Sequence, residues 1–117
     1  MIDSQKITLF LRDGLPKGLR EIKIDQWSGK EVACPRNRLK ELMKLVKDAC
    51  CIYFLIAEPS ESELMDIYVG EADGFTKRVR SHATKDWWTE VVVFVDNSLT
   101  KTSVKYLEYL TIQKLLE

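Results

Sequence analysis

The sequence has little of several features that would place it in a specialised class of protein. No apolar run approaches the roughly 20 residues that a membrane-spanning helix requires. The first ten residues, MIDSQKITLF, lack the charged start and apolar centre of a signal peptide. Cys34, Cys50 and Cys51 are an odd number of cysteines and fit neither a disulfide framework nor a Cys-x-x-Cys metal spacing. We therefore expect a cytoplasmic protein with reduced thiols and no membrane partner.

The sequence also lacks a net charge. Its 18 basic and 18 acidic residues balance, which argues weakly against a protein that binds nucleic acid through charge alone. The charges are nevertheless segregated, because residues 36–47 contain five basic residues and one acidic residue, whereas residues 58–73 contain six acidic residues and no Lys or Arg. This segregation is consistent with a basic face that contacts a nucleic-acid backbone, and a solvated helix surface explains it nearly as well.

The hydrophobic pattern predicts a small α+β protein. A chain of 117 residues can bury one modest core. Alternation of apolar and polar residues indicates strands, and apolar residues recurring every three to four positions indicate helices. Strands are predicted within 6–11, 19–27, 28–35, 51–57, 64–72 and 87–96, and helices within 36–49, 74–83 and 101–117. The strand at 87–96 is the most apolar, so we expect it at the centre of the sheet.

Each strand of the predicted hairpin contains a tyrosine. If residue 57 pairs with residue 64, Tyr53 stands opposite Tyr68, and opposite side chains lie on one face with Cβ atoms about 5 Å apart. The two phenols would then point into the same space, although a slip of one residue would separate them. Tyrosine is also a common strand residue, so packing alone explains the pair as well.

Three further side chains could act with these phenols. Arg78 and His82, the only histidine, are four residues apart in a predicted helix and therefore share a face. Glu108 falls in the apolar arc of the last predicted helix, where it needs a salt bridge, a route to water or a hard cation such as Mg²⁺. The set suits phosphodiester hydrolysis, in which arginine holds the phosphate, a phenol or imidazole takes a proton, and the metal offsets charge.

The order of these residues resembles a known family. C-I-Y, which begins at Cys51, and Y-V-G, which begins at Tyr68, resemble the two halves of the signature that names the GIY-YIG nucleases. The remaining positions also follow the family pattern: Arg78 eight residues after Gly70, His82 four further on, and Glu108 in the helix after an apolar strand. The resemblance covers residues 51–117.

This resemblance implies a single-metal endonuclease that hydrolyses DNA phosphodiester bonds. The implied fold is an antiparallel sheet with a three-stranded core flanked by helices. Residues 51–117 would form the nuclease-like core, and residues 1–50 would be an extension that adds strands to it. The implied roles are as follows: Tyr53 and Tyr68 position or deprotonate the attacking water, Arg78 holds the scissile phosphate, His82 assists proton transfer, and Glu108 binds Mg²⁺ or Mn²⁺.

The chain departs from the family pattern at several points. Cys51 replaces the first glycine of the signature, and the loop between the two strands is longer than in the excision-repair members. An asparagine that many members carry would fall beyond Glu117, and the acidic residues of 58–73 would repel DNA unless they turn outward. These departures keep open a non-catalytic module of the same fold that binds nucleic acid or protein. They also keep open the presence of further domains in the full-length protein. A third reading is an interaction domain in which the five residues coincide by chance.

Adjacent tryptophans precede the last strand. We expect one of Trp87 and Trp88 to pack inward and the other to lie at the rim of the fold. Stacking of a nucleic-acid base on the outer ring is conceivable, but core packing is favoured for both.

Overall fold

The computed structural model describes residues 4, 6–25, 28–57 and 67–96 of the chain. The helix predicted at 101–117, together with Glu108, lies outside these residues. Within them the elements are β1 (Ile7–Leu11), β2 (Arg20–Ile24), β3 (Lys30–Pro35), α1 (Leu39–Val46), β4 (Cys51–Ile56), β5 (Ile67–Ala72), α2 (Phe75–Arg80) and β6 (Glu90–Val95). A short 3₁₀ turn, Arg36–Arg38, leads into α1. No helix of these ranges is long and apolar enough to cross a membrane.

The six strands form one antiparallel sheet in the order β1-β2-β3-β6-β4-β5. The apolar strand β6 lies in the middle of this order, between β3 and β4, as its sequence predicts. Pairing of β3 with β6 also joins the strands of the first fifty residues to those that follow. The predicted α+β class, with a small antiparallel sheet and helices, is confirmed for the part of the chain described.

The core lies on the face of the sheet that the two helices cover. The apolar stripe of α1 buries Leu42 and Val46, and α2 buries Phe75 and Val79. Trp88 is fully buried in the same cluster, whereas Trp87 remains 37% exposed. One tryptophan therefore packs inward and the other lies at the rim; the expectation of core packing for both was wrong for Trp87.

The register of the β4–β5 hairpin differs from the predicted one by two residues. Tyr53 pairs with Gly70, and Tyr68 pairs with Leu55. Side chains alternate between the two faces of a strand, so a shift of two residues leaves both phenols on the same face. The tyrosines are diagonal neighbours with ring centroids 6.1 Å apart. The predicted meeting of the two phenols is therefore confirmed, although the predicted pairing was wrong.

Candidate functional site

Tyr53 forms the buried floor of the candidate site. Its side chain has no exposed surface, and its ring meets the Phe75 ring edge-on at 5.6 Å between centroids. The ring also lies directly over Gly70, where an added Cβ would sit 2.6 Å from the phenol oxygen. The glycine of the Y-V-G motif thus leaves the space that the tyrosine ring occupies.

The imidazole of His82 contacts both tyrosines. Its Nε2 lies 3.0 Å from the Tyr53 hydroxyl oxygen, within hydrogen-bonding distance. The Tyr68 ring lies 4.7 Å from the imidazole, centroid to centroid. The histidine is only 5% exposed.

Burial determines the protonation of this histidine and its tyrosine partner. Loss of hydration lowers the pKa of His82, and the positive charges of Lys85 and Arg78 lower it further. Burial likewise raises the pKa of Tyr53, with the neighbouring Tyr68 phenol adding to the effect and Arg78 opposing it. At neutral pH the site therefore contains a neutral imidazole against a protonated phenol.

Arg78 connects these buried groups to the surface. Hydrogen bonding to the Tyr53 phenol is the main cause that raises the pKa of Arg78, and Tyr68 contributes to the same shift. The arginine is exposed on α2, so its guanidinium can contact the phenols and a ligand from solvent. An arginine in this position suits a phosphate, because its planar fork donates two hydrogen bonds at once.

The helix that carries Arg78 is shorter than predicted. It ends at Arg80, and the backbone N–H of His82 then donates to the Val79 carbonyl at 2.9 Å, as in a tighter i to i+3 turn. Ser81 reinforces this turn, because its hydroxyl donates to the Arg78 carbonyl at 2.7 Å. The predicted helix over 74–83 was therefore too long at its C-terminal end. The turn nevertheless places both side chains against Tyr53.

A cleft of about 710 Å³ opens beside Arg78. Its lining contains two cations and three carboxylates, namely Lys77, Arg78, Asp48, Glu71 and Asp73. Sequence reasoning required the acidic stretch to turn outward if DNA is to bind here. Glu71 and Asp73, the members of that stretch that the structure describes, instead border the cleft.

The carboxylates of this cleft suit a hard cation in type, but they do not converge into a three-ligand group. Carboxylate oxygens are the ligands that Mg²⁺ takes from proteins, and one or two suffice when waters and phosphates complete its shell. Among the described residues, however, no group of three His, Cys, Asp or Glu side chains could hold a metal ion. The metal ligand named from sequence, Glu108, lies outside the described part of the chain. The structure thus brings together Tyr53, Tyr68, Arg78 and His82.

Two residues that contact the His82 segment were missed as site residues. The Arg36 guanidinium lies over the Trp88 ring, 4.2 Å from its centroid, and the Trp88 indole N–H donates to the His82 carbonyl at 3.1 Å. Arg36 was placed in a predicted basic helix that faces either a nucleic-acid backbone or solvent, and Trp88 in the core. The contact joins positions 52 residues apart in sequence, and nothing in local pattern signals it.

Comparison of the chain with family models, curated proteins and solved structures finds no match. The functional argument therefore rests on the side chains that the fold brings together. Those are two phenols, a neutral imidazole and an arginine at the edge of a cleft.

Proposed function

We propose that this protein is a metal-dependent endonuclease of the GIY-YIG type that hydrolyses DNA phosphodiester bonds. The observation that carries the proposal is the contact of His82 with both motif tyrosines, at 3.0 Å from the Tyr53 hydroxyl and 4.7 Å from the Tyr68 ring. Arg78 interacts with the same phenols. These four residues also follow the family order and spacing, and a chance match in sequence would not require them to meet in space.

The sheet offers independent support for the resemblance. Strands β6, β4 and β5 are adjacent and antiparallel, the arrangement expected of the three-stranded core. Strands β1 to β3 continue the sheet from β6, as expected of an N-terminal extension. The two motif halves lie on the paired strands β4 and β5, and Arg78 lies on the helix that follows them.

Among the candidate bases, His82 fits the role best. A fully buried Tyr53 with a raised pKa holds its proton at neutral pH, so it cannot accept one from water. His82 is neutral at the same pH because its pKa is lowered, and a neutral imidazole accepts a proton. For this role the imidazole donates from Nε2–H to the Tyr53 oxygen, which leaves Nδ1 free to accept a proton, and the half-buried Tyr68 ring lies 4.7 Å from the imidazole.

Arg78 would hold the scissile phosphate. Its charge and two parallel N–H donors match non-bridging phosphate oxygens, and they would stabilise the charge that develops there during attack. Glu108 would hold the Mg²⁺ or Mn²⁺ ion, which when bound supplies Lewis-acid stabilisation of the phosphate and a lowered pKa for bound water.

A second candidate is a non-catalytic module of the same fold that binds nucleic acid or protein. The carboxylates of Asp48, Glu71 and Asp73 around the cleft weaken the case for DNA cleavage there, because they repel a polyanion unless cations offset them. Lys77 and Arg78 provide only part of that offset in the cleft lining. This candidate predicts binding without cleavage.

The deciding experiment is a nicking assay on supercoiled plasmid and branched oligonucleotides with Mg²⁺ or Mn²⁺. Wild type is compared with Arg78→Ala, Glu108→Ala and Arg80→Ala. Arg80 is the matched control, because it is an exposed arginine on α2 and lines no part of the cleft described above. We expect metal-dependent nicking that falls about 100-fold or more in Arg78→Ala, is lost in Glu108→Ala, and persists in Arg80→Ala.

The same preparations decide between the two candidates. Binding is followed by anisotropy of a labelled branched oligonucleotide at the enzyme concentrations used for nicking. Binding without any nicking by wild type would support the non-catalytic module. Nicking that survives both Arg78→Ala and Glu108→Ala would show that the activity does not come from this site.

A further inference from the structure

The segment that follows α2 carries His82 and leads into β6, and Arg36 holds it from the N-terminal half of the chain. The Arg36 guanidinium donates to the Ala83 carbonyl at 2.7 Å and to the Trp88 carbonyl at 3.2 Å. The Arg36 backbone N–H donates to the Thr89 carbonyl at 2.8 Å. A single residue thus fixes both ends of segment 83–89.

Trp88 transmits this restraint to His82. The indole is fully buried, and the Arg36 guanidinium lies 4.2 Å from its ring centroid, within cation–π range. The indole N–H donates to the His82 carbonyl at 3.1 Å. Arg36 therefore holds the backbone next to His82 directly, through Ala83, and the His82 carbonyl indirectly, through Trp88.

We infer that Arg36 is a positioning residue for His82, holding the backbone on which the imidazole meets the Tyr53 hydroxyl. The N-terminal region, which lies outside the family pattern, would then complete the site as well as extend the sheet. The catalytic meaning of this inference rests on the proposed function, but the positioning itself can be measured without any activity.

Arg36 acts on His82 by holding the neighbouring backbone in place, and its charge does not contribute to the shift of the His82 pKa. The positive charges that lower the His82 pKa are those of Lys85 and Arg78, and Arg36 is not among the causes. Among the described residues, the other titratable groups that face the imidazole are the phenols of Tyr53 on β4 and Tyr68 on β5. Loss of the Arg36 contacts would let the segment relax and admit water, which moves an imidazole toward its ordinary pKa of about 6.5.

The test is an NMR titration of the imidazole, whose signals are unambiguous because the chain has one histidine. Arg36→Gln and Trp88→Phe are compared with wild type and with Arg38→Gln. Arg38 is the matched control, since it lies two residues away and pairs with Asp13 at 3.0 Å. We expect the titration midpoint to rise toward about 6.5 in the first two variants and to stay at the wild-type value in Arg38→Gln.

Trp88→Phe keeps the test decisive if Arg36→Gln does not fold, because it retains a ring and removes the N–H that binds the His82 carbonyl. A folded Arg36→Gln with the wild-type midpoint overturns the inference. A wild-type midpoint in Trp88→Phe overturns it as well when Arg36→Gln is unfolded. An equal shift of the His82 midpoint in Arg38→Gln also overturns the inference, since the shift would then reflect a general loosening of the protein.

Activity provides a second and separable readout. If wild type nicks DNA, Arg36→Gln should lower kcat by up to about 100-fold, the scale expected when a reacting group is misplaced, with little change in KM. The acidic limb of its pH–rate profile should move upward with the NMR midpoint. A wild type that cuts nothing overturns the proposed nuclease, while the NMR comparison still decides whether Arg36 positions His82.

Discussion

At the scale of single residues, the contact of Tyr53 with Gly70 gives the Y-V-G motif a packing reason. The two residues pair across β4 and β5, and the tyrosine ring fills the volume next to the glycine Cα. A side chain at position 70 would push the ring away from the space in which its hydroxyl meets His82. The glycine therefore determines where the phenol points.

Gly70→Ala should destabilise the protein by about 1–3 kcal/mol, as overpacking does in a closely packed core. The added Cβ meets the Tyr53 ring at less than van der Waals distance from three atoms. The free energy of unfolding from urea titration measures the effect. In a Tyr53→Val background the same change should be neutral or stabilising, since alanine otherwise suits a strand better than glycine. An equal cost in both backgrounds would show that the ring is not the cause.

The sequence could predict that Tyr53 and Tyr68 share a face but not which residues they pair with. Alternation has a period of two, so any even shift of the hairpin leaves the same side chains on the buried face. Only turn geometry separates such registers, and the long polar stretch between the strands has no short turn motif. Gly70 carried the missing information, because the Tyr53 ring occupies the space that a side chain at position 70 would need.

At the scale of elements, the end of α2 explains why His82 is buried. Phe75, Val79 and Ala83 are spaced by four, which predicts a longer helix than the one observed. The Ser81 hydroxyl instead bonds the Arg78 carbonyl, and such local side-chain bonding competes with helix continuation. The resulting turn directs the imidazole toward β4. Helical periodicity cannot predict this, because it reports apolar spacing and contains nothing about tertiary contacts of a histidine.

The edge strand β1 offers a test of the observed register at the far end of the sheet. Asp25 N–H donates to the Lys6 carbonyl, and Arg12 N–H donates to the Leu19 carbonyl, at 2.9 Å and 3.0 Å. The backbone N–H and C=O groups of the even-numbered residues of β1 therefore point toward β2. The backbone N–H of Leu9, an odd-numbered residue, points away from β2.

Leu9→Pro should consequently be tolerated far better than Thr8→Pro. Thr8 pairs with Lys23, so proline there removes a ladder hydrogen bond and leaves a carbonyl unpaired, at a cost of roughly 2 kcal/mol more. Both side chains are exposed, which makes each variant a control for the other. The stabilities of the two variants are compared by thermal and urea unfolding. Equal destabilisation, or a larger effect at position 9, would contradict the register of β1 on β2.

At the scale of the whole molecule, the N-terminal strands and the motif-bearing strands form one sheet, and Arg36 links the first part to the segment of His82. Composition and periodicity predicted the strands and their antiparallel class. Composition and periodicity could not predict that β3 pairs with β6, since pairing between distant segments depends on which apolar faces are complementary. The charges show the same limit, because the sequence reveals an acidic stretch but not that Glu71 and Asp73 border the cleft.

The buried histidine should make the stability of the whole molecule depend on pH just below neutrality. The His82 pKa is lowered in the folded state, whereas the unfolded chain binds the proton near pH 6.5. Below that pH the unfolded state holds more protons, so the free energy of unfolding decreases as the pH falls toward the folded pKa. Glu31, whose pKa is raised by burial, acts in the opposite direction at lower pH, and a comparison of variants is therefore needed.

His82→Gln provides that comparison, because glutamine can still hydrogen-bond to the Tyr53 hydroxyl but does not titrate. Urea unfolding is measured for both proteins between about pH 7.5 and 5.5, the window that brackets an ordinary histidine pKa. Wild type should lose stability as the pH decreases across this window, and His82→Gln should not. A constant difference in stability between the two proteins does not matter, because the comparison is between their slopes against pH. Parallel slopes would mean that His82 takes up its proton as readily in the folded state as in the unfolded one, which would also remove the reason for assigning it as a neutral base.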